Sequence, residues 1–383
     1  MEQDLFESFR EMKEKNMMLL KEAKERGQKV VGLYCTYGPR ELVLAAGAIG
    51  VGLCGTREEP IADAEKHLPR NLCPLIKSSY GYAVTDACPY FYFSDMVIGE
   101  TTCDGKKKMF ELMKEFKKVH VMNMPQNQES QSSLELMYAE MKRLKVALEE
   151  YLETSISDED LRRAIHTVNE EKKALKRLYD LNRAKPAFIS GMELLRVSWQ
   201  IGFHSDREER VRLIHKLCGD ILSEAAKGKH AVSEDAPRIL LTGTPVGIGS
   251  EKVVAIVEES GGTVVNMESC GGYKTLGFYI DENDTRDPLL LLAEKYLKIP
   301  CSIMSPNDGR LELIKEIVKE FSIDGIIDLT WQGCHTYNIE SNHVARLAKD
   351  KLGLPFLHLE TDYSQNDAEM LRVRIGAFLE MMG

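Results

Sequence analysis

The chain has 383 residues, 43% of them hydrophobic and 29% charged, the mixture of a soluble globular protein. At about 100–200 residues per domain it has room for two or three domains, which excludes disordered, collagen-like or coiled-coil readings of the whole. Fifty Lys and Arg against 60 Asp and Glu give a net charge of −10, the opposite of the basic footprint nucleic-acid binding requires.

The elements follow in chain order. The amino terminus is acidic and has no apolar signal-peptide core, so a cytoplasmic protein is expected. Its longest apolar run, Leu42 to Cys54, is too short to span a membrane. Lys29 to Tyr34 reads as a buried strand running into Cys35, and Pro39 presets a helix over Glu41–Ala48. Val51–Cys54 is a second strand, and Pro74 opens a helix through Tyr82. Tyr90–Ile98 reads as a buried strand ending before Cys103, Lys106–Lys117 as a helix, and Val119–Met122 as a strand.

From about 130 to 230 the character changes. Leu134, Met137, Met141, Leu144 and Leu148 recur at helical spacing, and no heptad run is sustained long enough for a coiled coil. Ser157 to Asp160 resembles a capping signal with Asp in place of the usual Glu or Gln. Lys227–Pro237 reads as a linker, after which strands are expected at Arg238–Gly243, Thr263–Met267, Gly325–Leu329 and Pro355–Leu359, with helices between them. The fold class is α/β: two Rossmann-like parallel-sheet domains joined by a helical segment. The expected divisions are 1–128 for the first α/β domain, 129–235 for the helical bridge and 236–383 for the second.

Nine cysteines are the one anomaly. No CxxC pair occurs, so thioredoxin-like motifs, zinc ribbons and the ferredoxin run are excluded. Six thiols nevertheless share one topological position. Cys35, Cys103, Cys270 and Cys334 follow predicted strands, Cys73 opens a helix, and Cys301 precedes the helix expected at Asp308. Ligands gather at the carboxyl ends of parallel strands, whereas packing cysteines belong inside strands or on inner helix faces. Packing is the reading for Cys54, Cys88 and Cys218. For the six, packing and a shared metal site both stay open. If a metal is present, zinc would use four ligands and leave thiols over, while iron–sulfur clusters are held by thiolates. Three cysteines per cluster would leave an iron site open for a substrate or a bridging ligand.

Three further motifs carry chemistry. Tyr34-Cys35-Thr36-Tyr37-Gly38-Pro39-Arg40-Glu41, Asn71 to Gly81 around Cys73, and Glu100-Thr101-Thr102-Cys103-Asp104-Gly105-Lys106 resemble the 2-hydroxyacyl-CoA dehydratase family, most closely its double-cubane cluster branch. Ser305 to Asp308, Gln332 to Tyr337 and Glu360 to Ser364 continue the resemblance. It implies that Cys73, Cys103 and Cys334 hold a [4Fe–4S] cluster. In the double-cubane branch two cubanes joined by a sulfide are held by more cysteines, here assigned from topology as Cys35, Cys270 and Cys301, with Cys88 as the replacement. It also implies a separate ATP-hydrolysing iron–sulfur activator protein and a homodimer. The activity implied is reduction of a small molecule; the alternatives are a 2-hydroxyacyl-CoA dehydratase subunit, which makes a ketyl radical from an acyl-CoA and uses a single [4Fe–4S] cluster, and a non-catalytic electron carrier.

His335, beside Cys334, is the first candidate proton donor, followed by Lys77, one helical turn from Cys73, and Glu41, near Cys35. Each also reads as a second-layer hydrogen bond or a salt bridge. Gly243 to Lys252 resembles a phosphate loop but fits neither the P-loop nor the dinucleotide template. ATP is therefore expected on the partner. Lys106, Lys107 and Lys108 read as a solvated face, as positive charge near an anionic cluster, or as a docking point for an acidic partner surface.

Overall fold

The computed structural model describes residues 4–382. Each half of the chain contributes a four-stranded, wholly parallel sheet. The first holds β1 (Val30–Leu33), β2 (Ile49–Gly52), β3 (Met96–Glu100) and β4 (Val119–Met122) in the order β2-β1-β3-β4. The second holds β5 (Arg238–Gly243), β6 (Thr263–Glu268), β7 (Gly325–Trp331) and β8 (Phe356–Thr361) in the order β6-β5-β7-β8. Strands β1, β3, β5, β6 and β7 are buried along their whole length, as parallel strands covered by helices on both faces must be.

The two strand orders are the same, and they locate the ligand crevices. In the first sheet the chain steps from β1 out to β2, then crosses back to place β3 on the other side of β1. Winding therefore reverses between β1 and β3, where Val31 pairs with Met96, and equally between β5 and β7, where Ile239 pairs with Gly325. Helices leave opposite faces at such a switch point and open a crevice beyond the strand ends.

One predicted strand is corrected. The aromatic run from Tyr90 has high strand propensity, but Pro89–Phe93 is a short helix and β3 begins only at Met96. Pro89 sits at the first helical position, where its fixed φ is preset for a helix and its missing N–H costs nothing. Asp95 then fixes the entry to the sheet by accepting hydrogen bonds from Val30 N–H and Lys24, both at 2.7 Å.

Between the sheets run the helices Gln131–Leu152, Asp158–Asp180, Gly191–Ile201 and Arg207–Ala225. The Ser157–Asp160 signal is a complete capping box, so the shorter acid still reaches back to the cap nitrogen. Packing ties the sheets together through this layer. Val31, Leu33, Met96 and Ile98 of the first sheet share a buried cluster with Met137, Met141, Leu144 and Leu148, and with Leu289, Leu292 and Ile299 from beyond β6. The helix Pro288–Leu297 thus packs on the core of the first sheet. Among the described residues no helix is long and apolar enough to cross a membrane.

Candidate iron–sulfur site

The strand ends of both sheets open onto one cavity of about 1300 Å³. Seven cysteines line it: Cys35, Cys54, Cys73, Cys103, Cys270, Cys301 and Cys334. Each arrives by local structure the sequence dictates. Cys35 and Cys54 lie just beyond β1 and β2, and Cys270 just beyond β6. Cys73, Cys103 and Cys334 are the N-cap residues of the helices Pro74–Val84, Asp104–Met113 and His335–Arg346. Helix N-termini present free N–H groups and a positive dipole end, which favour thiolates. Cys301 sits in the turn after Pro288–Leu297, held by Asn307 Nδ2, which donates to its carbonyl at 3.1 Å.

The thiols form two neighbourhoods. Cys73, Cys103 and Cys334 act electrostatically on one another, and Cys334 also feels Cys270 of the other group. Cys270 and Cys301 act on one another, and Cys35 is within electrostatic reach of both. Burial pushes the Cys73 and Cys35 thiols up to about 12 and Cys54 up to about 11. Cys301, Lys274 and Tyr337 pull the Cys270 thiol down to about 6 against its burial, while Cys270 and burial push the Cys301 thiol up. Metal binding at the remaining thiols must displace protons.

Buried charges support this second neighbourhood from beneath. Tyr337 Oη lies 3.9 Å from Cys270 Sγ and accepts a hydrogen bond from Lys274 Nζ at 2.8 Å. Lys274 pairs with Glu268 at 3.1 Å, Glu268 with Arg310 at 3.2 Å, and Arg310 with Asp328 at 3.6 Å, all fully buried. Such a chain of paired charges holds its members in one arrangement, because losing any one strands another away from water. On the opposite sheet Lys106 is 8% exposed and lies 3.7 Å from Glu100, whose carboxylate oxygens have no hydrogen-bond partner among the described residues. Burial pushes Glu100 up to about 7, against the pull of Lys106. Burial opposes the Lys106 charge too, but the Cys35 thiol, Glu100 and the Cys54 and Cys103 thiols outweigh it and raise its pKa. Of the basic run, Lys106 is thus buried at the cavity wall, while Lys107 and Lys108 are exposed and paired with Asp104 and Glu111.

The other predicted residues divide. His335 is exposed and lines the cavity. Lys77 and Glu41 do not line it. Lys77 is spent on Glu65 at 2.9 Å and the Arg70 carbonyl at 2.8 Å. Glu41, fully buried, is bonded to Lys295 and to Tyr296 Oη, joining the first sheet's helix Arg40–Ala45 to Pro288–Leu297. Proximity in sequence placed both near a cysteine, but helix geometry turns their charges into the protein. Cys88 and Cys218 lie outside the cavity lining; Cys218 is fully buried in the helix Arg207–Ala225. Cys54, expected as packing, is the correction: its thiol donates to the Tyr34 carbonyl at 3.0 Å at the cavity wall. Its position just after β2 was the available signal. Lys252 of the phosphate-like loop is buried, donating to Thr361 Oγ1 at 2.8 Å and the Ser364 carbonyl at 2.6 Å.

The donor set fits an iron–sulfur cluster better than a single ion. Among the described residues no three thiols lie within 4.8 Å of one another, as a tetrahedral zinc site would draw them. A larger inorganic core suits thiols that ring a cavity. The only group of three candidate metal-ligating side chains that close, among the described residues, is His166, Glu170 and Glu282 on the surface.

Comparison with known proteins shows the family. Residues 35–382 match the family model described as 2-hydroxyglutaryl-CoA dehydratase, D-component. The chain is 44% identical over 378 residues to YjiM of Escherichia coli (strain K12), which is named provisionally as a dehydratase subunit; the alignment covers 99% of this chain and 98% of that protein. It is 27% identical to the (R)-phenyllactyl-CoA dehydratase beta subunit of Clostridium sporogenes, over 95% of this chain and 94% of that one. It is 21% identical to the beta subunit of (R)-2-hydroxyglutaryl-CoA dehydratase of Acidaminococcus fermentans, over 99% of both chains. The chain belongs to the 2-hydroxyacyl-CoA dehydratase family, as a member of its 2-hydroxyglutaryl-CoA dehydratase D-component group.

Proposed function

We propose that this chain is the cluster-holding subunit of an enzyme that delivers single low-potential electrons to a substrate bound in the thiol-lined cavity. Thiolate-held iron–sulfur clusters supply that one-electron chemistry. The form favoured by the residues is a small-molecule reductase with a double-cubane cluster, and the observation that carries it is the number of thiols. One [4Fe–4S] cluster takes at most four thiolates, and seven line this cavity in two neighbourhoods. Cys73, Cys103 and Cys334 would hold one unit and Cys35, Cys270 and Cys301 the other, with Cys54 beside Lys106 as a further donor.

The chain's own residues have definite tasks in this reading. The helix N-termini at Cys73, Cys103 and Cys334 stabilise anionic sulfur, and Lys106 offsets negative charge at the wall. His335, exposed at the cavity, delivers a proton to the reduced substrate. An ATP-hydrolysing iron–sulfur activator supplies the electrons, and the functional unit is a homodimer; Leu136, Val146 and Tyr151 leave exposed apolar surface on Gln131–Leu152.

A second reading, dehydration of a 2-hydroxyacyl-CoA, is favoured by the names of the relatives, which are dehydratase subunits. Anaerobic purification with iron counting and CoA-thioester titration separates the two. About eight irons per chain without CoA-thioester binding supports the reductase. About four irons with saturable thioester binding transfers the assignment to the dehydratase, and a chain without iron overturns both.

A further inference from the structure

The cavity has a second pole that the thiols do not explain. Arg40, Glu171, Lys172 and Arg210 line it together with the aromatic surfaces of Trp199 and Phe203. Glu171 is already satisfied, accepting hydrogen bonds from Arg207 Nη1 at 2.9 Å to each oxygen and lying 3.4 Å from Arg210. Arg210 is occupied too, donating to the carbonyls of His204 at 2.6 Å and Gly202 at 3.1 Å. Nearby Lys295 is matched by Glu41.

Arg40 is different. Its backbone N–H is bonded to Tyr296 Oη at 3.2 Å, but among the described residues its guanidinium has no acceptor and no carboxylate within 4.0 Å. A guanidinium carries five donors in a rigid fork that matches a carboxylate in a two-point contact. Three guanidinium groups here act on the single carboxylate of Glu171, so the wall carries excess positive charge in a protein that is acidic overall. Arg40 also acts on the Cys54 thiol, which places its charge within reach of the sulfur-lined half.

We infer that Arg40 anchors an anion subsite in this cavity, built for a small organic carboxylate whose apolar body lies against Trp199 and Phe203. This rests on the cavity being the substrate chamber and names the substrate class. The fork and the surplus positive charge call for an anionic group. Lys172 is occupied as well, donating to the carbonyls of Thr275 at 2.9 Å and Phe278 at 3.2 Å.

The test is isothermal titration calorimetry on the whole, anaerobically prepared protein at fixed ionic strength. The probes are 3-methylbutanoate and phenylacetate, each against its uncharged amide, with iron counted in every sample. The expected result is saturable carboxylate binding at one site per chain, at least tenfold tighter than the amide. Arg40→Gln should weaken the carboxylates at least tenfold and leave the amides unchanged, and Arg40→Lys should keep part of the preference. Equal binding of acid and amide, no saturable binding, or unaltered carboxylate affinity in Arg40→Gln overturns the subsite. Loss of iron in both Arg40 variants overturns it as well, because Arg40 would then serve the cluster. Carboxylate selectivity in a wild-type chain that holds no iron would keep the subsite and discard the iron–sulfur reading; an iron-loaded chain without selectivity would do the reverse.

Discussion

Gly333 lies against Cys73. Its backbone is left-handed, with φ +76°, and a Cβ added there would come 3.2 Å from the Cys73 nitrogen and 2.7 Å from the Asn71 carbonyl oxygen. The loop after β7 thus rests directly on the cysteine-bearing segment of the other sheet, and the two halves of one thiol neighbourhood are set by this contact. Gly333→Ala adds both a strained conformation and a clash with backbone, which should cost about 1–3 kcal/mol. The variant should unfold at lower temperature and retain less iron. Wild-type iron content together with an unchanged melting temperature would separate this contact from the site.

The Glu41–Lys295 pair is fully buried between two helices from distant parts of the chain. Removing one partner leaves an uncompensated buried charge, so Glu41→Gln or Lys295→Met alone should destabilise by about 3–5 kcal/mol. The double variant should recover much of that in urea denaturation. Burial raises the Glu41 pKa, but Lys295 and its neighbours outweigh this and hold it at about 2, below the usual 4.5. The pair's stabilisation is therefore complete above pH 4.5 and lost as pH falls toward 2. Turnover at neutral pH that collapses in Glu41→Gln while stability holds would restore Glu41 as a proton donor.

His120 offers a second pH dependence. Burial and the charge of Arg143 lower its pKa from 6.5 to about 4. The folded protein thus binds this proton less readily than the unfolded chain, and stability present above pH 6.5 declines as pH falls toward 4. The loss should be on the order of 1–2 kcal/mol for this partly exposed ring. Urea midpoints at pH 7 and pH 5 should differ less in His120→Leu than in the wild type; an identical difference would show that other groups govern this range.

His335 is tested by function. His335→Gln removes the proposed proton donor and leaves the thiols in place, so turnover should fall about 10²-fold at unchanged iron content. A variant that keeps the wild-type rate would assign protonation elsewhere.

The fold was readable because its signals are local. Apolar runs such as Val30–Leu33 and Gly325–Trp331 end at turns, and the alternation of strands and helices dictates parallel sheets. The aromatic run at Tyr90 misled because propensity was read without Pro89, whose preset φ starts a helix. Six cavity cysteines could be located because strand exits converge at switch points, and Cys54 obeys that same rule, although its apolar surroundings suggested packing. Lys77 and Glu41 follow their salt-bridge reading, because sequence distance to a cysteine says nothing about which way a helix turns a side chain. Arg40 had no sequence signal beyond its motif: its lack of a partner exists only once Glu171, Arg207 and Arg210 have folded around one another.

In the proposed function the cavity thiols hold an iron–sulfur centre in two parts. Anomalous diffraction at the iron edge from anaerobically grown crystals measures this directly. Iron density is expected in two adjoining groups, one against Cys73, Cys103 and Cys334 and one against Cys35, Cys270 and Cys301. Iron confined to the first group would contradict the double cluster, and iron at Cys88, Cys218 or nowhere in the cavity would contradict the assignment altogether.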